Sequence, residues 1–210
     1  MQLYGIVKAF GSLFPLGKSE IAMSAFGGVY TDLTVGLPMA AASLANRVYG
    51  ATSATGTGIA PVTAVPTTAA AWFLFNDEPD GGRDYYIDRI GCWGLSGTPG
   101  LGMSLLACVT LKRQAIGPAT YASSIMTSLS GGPLDTKAVF DQATTITGGT
   151  PAWINVASRS QVSAAEVGEG LVAEVDGAFM VKPGHGLGMT VLSLAGSTPL
   201  YGVSVVWVEV

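Results

Sequence analysis

The sequence predicts a mainly β chain: an antiparallel β-sandwich preceded by an extended N-terminal arm. Three observations predict it. From Ala69 onward, eight or more short runs rich in Val, Ala, Thr, Leu and Trp are separated by clusters of turn residues. Glycine and proline punctuate the chain heavily, 29 and 11 residues of 210, so long helices find little room. The final run, Tyr201 to Val210, is apolar on both faces, with Val203, Val205 and Trp207 on one and Val206, Val208 and Val210 on the other. The expected division is an arm over 1–50 and a sandwich over 51–210.

In order along the chain, 20–30 (EIAMSAFGGVY) and 37–49 (LPMAAASLANRVY) each suit a short helix or an irregular segment. Pro38 fits a first helical turn. Residues 50–70 are Gly, Thr, Ala and Pro in alternation and read as extended chain. Ala69–Asn76 (AAAWFLFN) reads as a fully buried strand, ended by the turn-rich Asp77-Glu78-Pro79-Asp80-Gly81-Gly82. Tyr85–Trp93 follows, then a loop GLSGTPGLG. In Met103–Leu111 the period-two pattern puts Met103, Leu105, Ala107, Val109 and Leu111 on one face. Further strands are expected near 121–129, 138–147 and 152–158, then over 170–176, 178–182, 188–194 and 201–210.

Composition narrows the function classes. Hydrophobic residues make up 49% and charged residues 11%; mean hydropathy is +0.46. The charge-free stretches, Val48 to Phe75 and Ile90 to Leu111, are broken by Pro and Gly. Neither supplies the run of about 20 apolar helix formers that crossing a membrane demands. Low charge points instead to surface covered by other subunits, because contact cores are depleted of charge. The net charge is -4, and of ten basic residues only Lys112 and Arg113 are adjacent. Phosphate neutralisation needs clustered Lys and Arg, so no nucleic-acid partner is expected. Cys92 and Cys108 lie in apolar runs and read as buried free thiols; a disulfide is possible, but nothing in the sequence requires one. The start MQLYGIVKAF lacks the parts of a signal peptide, which predicts intracellular synthesis without export.

The motifs that carry chemistry are few. Gly11-Ser-Leu-Phe-Pro-Leu-Gly17-Lys18-Ser19 is one residue too long for a phosphate-binding loop, and Phe14 and Pro15 are bulky and rigid. His185, in Pro183-Gly184-His185-Gly186, is the one histidine of the chain, which is too few for a cupin-type metal site. Asp77, Glu78, Asp80, Asp84 and Asp88 could bind calcium, but their spacing matches no EF-hand, and Arg83 and Arg89 lie among them. A glycosidase pair could draw on these acids or on Glu166, Glu169 and Glu174; sequence alone does not set the required separation. Trp72, Trp93, Trp153 and Trp207 could stack sugars, but their strand context favours core or interface anchors. The expectation is a non-enzyme with no catalytic residues, no metal and no cofactor.

The C-terminal stretch MVKPGHGLGMTVLSLAGSTPLYGVSVVWVEV resembles the closing hairpin of single jelly-roll capsid decoration (cement) proteins of tailed bacteriophages. The likeness lies in Val181-Lys182-Pro183-Gly184 before a strand, the Gly-Ser-Thr-Pro turn, and Trp207-Val208-Glu209 at the end. It covers roughly 50–210 and implies a single jelly roll that assembles as a homotrimer on the outer surface of a phage head, bound to the major capsid protein. The protein would be made in the host cytoplasm and become part of the virion, bridging major capsid subunits while its arm embraces a neighbour. The alternatives are a trimeric glycan- or receptor-binding head of a tail fibre or spike, and a small jelly-roll coat protein. If the arm serves only docking, deleting residues 1–50 should leave a folded sandwich.

Overall fold

A computed structural model of the chain describes residues 22–23, 29–30, 42–43, 45–53, 58–98, 100, 102–110, 126–146, 150–160, 170–193 and 197–210. Two compact units result, Met1–Ala41 and Ala42–Val210. In the first, β1 (Ala22–Met23) and β2 (Val29–Tyr30) form a small antiparallel ladder. The rest of that unit, with the phosphate-loop-like 11–19, lies outside the described residues; within 20–30, read as a short helix or irregular segment, the described residues are strand.

The second unit is an antiparallel β-sandwich of two five-stranded sheets. Its strands are β3 (Val48–Thr52), β4 (Ala69–Asn76), β5 (Tyr85–Thr98), β6 (Gly102–Val109) and β7 (Met126–Ser128). Next come β8 (Ala138–Thr145), β9 (Ile154–Ser160), β10 (Leu171–Val181), β11 (Gly186–Ser193) and β12 (Ser197–Glu209). The first sheet has the order β7-β3-β12-β5-β10 and the second β8-β4-β11-β6-β9. Setting aside β7 and β8, the chain passes from one sheet to the other at every step from β3 to β6 and from β9 to β12. That alternation, with the last strand between the first and third, is the order of a jelly roll. β7 and β8 widen the two sheets along one side.

The core lies between the inner faces. Trp72 and Leu74 of β4, Leu105 and Ala107 of β6, and Leu187, Met189 and Val191 of β11 meet Val203, Val205 and Trp207 of β12. The alternation read for β6 and β12 therefore sets their inner faces. In β5 the inward residues change parity, from Tyr85 and Ile87 to Ile90 and Cys92. The cause is a bulge: Arg89 pairs with Val206 and Ile87 with Trp207, leaving Asp88 as the extra residue.

Several expected boundaries shift. β3 starts at Val48, so Val48 to Gly50, read as the end of the arm, are strand residues paired with β12 and β7. The expected loop after Trp93 is strand as far as Thr98, because β12 starts at Ser197 and supplies a partner for it. The two runs read over 170–176 and 178–182 are one strand, bent where Asp176 and Gly177 both take left-handed φ values of 47° and 77°. Residues 58–62 cross from sheet to sheet at one end: Ile59 bridges Tyr201 of β12 and Val62 bridges Leu192 of β11.

Candidate functional site: the surfaces and ends of the sandwich

The strands run between two ends. At one end β3, β5, β9 and β11 finish and β4, β6, β10 and β12 start, with the described residues 58–68 crossing there. The other gathers β4–β5 (77–84), the 129–137 segment, β10–β11 (182–185) and the chain end at Val210.

A polar cluster builds this second end. Glu209, fully buried, accepts hydrogen bonds from Arg83 Nη1 at 2.9 Å, from Thr136 Oγ1, and from Trp207 Nε1 at 3.3 Å. Arg83 also donates to the Asp135 carbonyl at 3.0 Å, and so does the Tyr49 hydroxyl at 3.1 Å. A carboxylate leaves water only when its lone pairs find donors, and here one guanidinium and two neutral groups supply them. Asn76 does the same for the adjoining turn. Its Nδ2 donates to the carbonyls of Arg83 and Val181, both at 2.9 Å, and its Oδ1 accepts from the Glu78 amide at 3.0 Å. The cluster locks three connections to the sandwich, and its role is structural. Its signal in the sequence is Glu209, the one charge in the terminal strand.

The residues singled out for chemistry do not converge. Asp77 and Asp80 are exposed on the 77–82 turn, while Asp84 and Asp88 lie at and beyond the start of β5. Among the described residues, no group of three His, Cys, Asp or Glu side chains is placed to hold a metal ion. His185 sits in the β10–β11 turn with Nδ1 3.0 Å from the Pro183 carbonyl oxygen. Glu174 is exposed on β10; Glu166 and Glu169 lie outside the described residues. The tryptophans are dispersed. Trp72 and Trp207 are fully buried in the core. Trp93 lies against Gly202, and Trp153 lies over Gly188 on the outer face of the second sheet. Cys92 and Cys108 are buried free thiols, and burial pushes them up to about 11 and about 12 respectively. Both are therefore protonated at neutral pH and poor nucleophiles.

The remaining chemistry is that of surfaces. The outer face of the second sheet is covered by the chain itself. Ile146, just after β8, and Trp153, just before β9, pack on it with Ala70, Phe73, Phe75 and Cys108 as a second apolar cluster. Each of the four edge strands is short or carries an irregularity. β7 has three residues. β8 carries a left-handed residue, Ala143, whose φ is 56°. β9 shifts register between Leu105 and Leu106 of its partner, and β10 does so between Glu174 and Phe179. Short or bulged edges discourage strand addition. The connections differ in charge along the sequence: 53–68, 94–102 and 193–200 contain no Asp, Glu, Lys, Arg or His, whereas 77–84 holds five charged residues and 161–169 carries Glu166 and Glu169.

No family model matches the chain, and no curated protein does. Among solved structures, a cryo-electron microscopy structure of Mud Crab Dicistrovirus is similar at 12% identity and a TM-score of 0.17. The likeness covers 92% of this chain and 81% of that one.

Proposed function

We propose that this chain is a virion structural protein, a capsid decoration (cement) protein that stabilises a phage head by bridging major capsid subunits. The observation that supports it is a jelly-roll strand order whose edge strands are short or irregular, in a chain with only 11% charged residues. Such a body offers faces and loop ends to its partners rather than strand edges. The action is mechanical: apolar burial at about 25 cal/mol per Å², repeated over a shell, offsets internal pressure without any chemical step. An acidic protein is repelled by packaged nucleic acid, which suits a place on the outer surface.

Cosedimentation with purified empty phage heads tests the proposal. The protein is expected to pellet with heads at a fixed ratio to the major capsid protein and to raise their melting temperature. Free protein that stays in the supernatant, with heads unchanged in stability, would remove the decoration role. Assembly into empty shells on its own would instead identify a coat protein.

A further inference from the structure

We propose that the polar end of the sandwich, besides fastening its connections, cleaves its own chain between Asp135 and Thr136, with the Thr136 hydroxyl as nucleophile. The inference goes beyond the decoration reading and does not rest on it. A peptide bond is open to attack from within when a hydroxyl follows its carbonyl, a base can take the hydroxyl proton, and donors hold the carbonyl oxygen. All three parts meet around the 129–137 segment, within the described residues.

The Thr136 hydroxyl donates to Oε1 of the buried Glu209 carboxylate, and the Ala138 amide donates to Thr136 Oγ1 at 3.0 Å. The hydroxyl is thereby oriented, and its proton already points at a base. The electrophile is the carbonyl carbon just before it, that of Asp135. The carbonyl oxygen accepts from Arg83 Nη1 at 3.0 Å and from the Tyr49 hydroxyl at 3.1 Å, two donors placed where negative charge develops. Hydrogen bonding to Glu209 holds the Arg83 guanidinium further above its ordinary range, and burial raises the Tyr49 hydroxyl. Both therefore keep the protons they donate at neutral pH. The Asp135 side chain is 73% exposed, so water reaches this bond. Tyr49 comes from β3, Arg83 from the turn before β5 and Glu209 from β12, so the whole sandwich is needed to bring base and donors to one peptide.

The step balances with water alone. Thr136 Oγ1 bonds to the Asp135 carbonyl carbon as Glu209 takes its proton. The C–N bond then breaks, the proton passes to the departing nitrogen, and an ester joins Asp135 to Thr136 Oγ1. Water hydrolyses the ester, leaving a carboxyl group on Asp135 and a free amine on Thr136. Glu209 also accepts from Arg83, which weakens it as a base, so the cut is expected over days rather than minutes. The two pieces stay together, because β8, β11 and β12 on one side of the cut pair with β3, β4, β5 and β6 on the other.

The test is intact mass and denaturing gel electrophoresis of full-length protein kept at neutral pH. Two fragments are expected, 1–135 and 136–210, with masses that sum to that of the chain plus one water. Hydroxylamine, which captures esters, is expected to speed the cut and to leave a hydroxamate on Asp135. Thr136→Ser should keep the reaction, and Thr136→Val, of the same shape without the hydroxyl, should abolish it. Tyr49→Phe should slow it about 100-fold. Melting curves show which variants are folded, and should Thr136→Val not be, Tyr49→Phe takes its place. A chain that stays whole for weeks, with and without hydroxylamine, overturns the inference. So does cleavage of folded Thr136→Val or Tyr49→Phe at the wild-type rate. Cleavage is read on the free protein, so its failure leaves decoration standing, and failure to bind heads leaves the cleavage standing.

Discussion

Trp207 joins the core to the polar end within one side chain. Its ring centroid lies 5.9 Å from that of Tyr49 and 6.0 Å from that of Tyr85, and its Nε1 donates to Glu209. Replacing it with alanine is expected to cost about 3–5 kcal/mol, since the cavity is fully enclosed and a donor to a buried carboxylate is lost as well. Urea denaturation followed by circular dichroism measures this; a loss below about 1 kcal/mol would mean that the site collapses freely. Alkaline pH probes the other buried groups. Burial raises the thiols of Cys92 and Cys108 from 9.0 to about 11 and about 12, and it also raises the hydroxyls of Tyr49, Tyr85 and Tyr201. Between pH 9 and 11 the unfolded thiols have lost protons that the folded chain still holds, so the unfolded state gains from deprotonation. The stability these thiols contribute is whole below about pH 9 and is lost as pH rises toward 11 and 12. A urea midpoint that stayed constant from pH 8 to pH 11 would contradict their burial. In both cases the residue type and its apolar neighbours were legible in the sequence. That Glu209 and Arg83 would meet was not, because 126 residues separate them.

At the scale of elements, period-two patterning located strands well and their ends poorly. β4 occupies Ala69–Asn76 as read, because an unbroken apolar run ending in a Pro-Gly turn leaves few alternatives. β5 and β12 run past their expected limits through Gly, Ser and Thr, as each supplies hydrogen-bond partners to the other; intrinsic propensity is the weaker influence. Small residues inside strands have a similar tertiary cause. A Cβ on Gly186 would stand 2.1 Å from Phe73 Cζ, since the Phe73 ring lies directly on the β11 backbone. Gly186→Ala is therefore expected to destabilise by about 1–3 kcal/mol or more through overpacking. Thermal melting of the variant checks it, and a Tm equal to that of the wild type would show that the ring moves aside at no cost.

For the molecule as a whole, the boundary of the sandwich matters most. β3 pairs with β12 along Val48–Thr52, and Tyr49 lies in the core beside Trp207. Removing residues 1–41 should leave cooperative melting intact, whereas removing 1–50 takes three residues out of a strand in the middle of the first sheet. The shorter deletion is thus the proper test of a docking arm, and differential scanning calorimetry of both distinguishes the cases. Equal melting of the two truncated chains would show that β3 is dispensable. The sequence by itself determined the β class, most strand positions, the inner faces of β6 and β12, and the low charge that points to covered surface. Those properties follow from local pattern and composition. Only the tertiary structure decided that Arg83, Asp135, Thr136 and Glu209, far apart in the chain, meet at one end. Topology brings them together, through hydrogen bonds between strands distant in sequence, and no local pattern records which strand will pair with which.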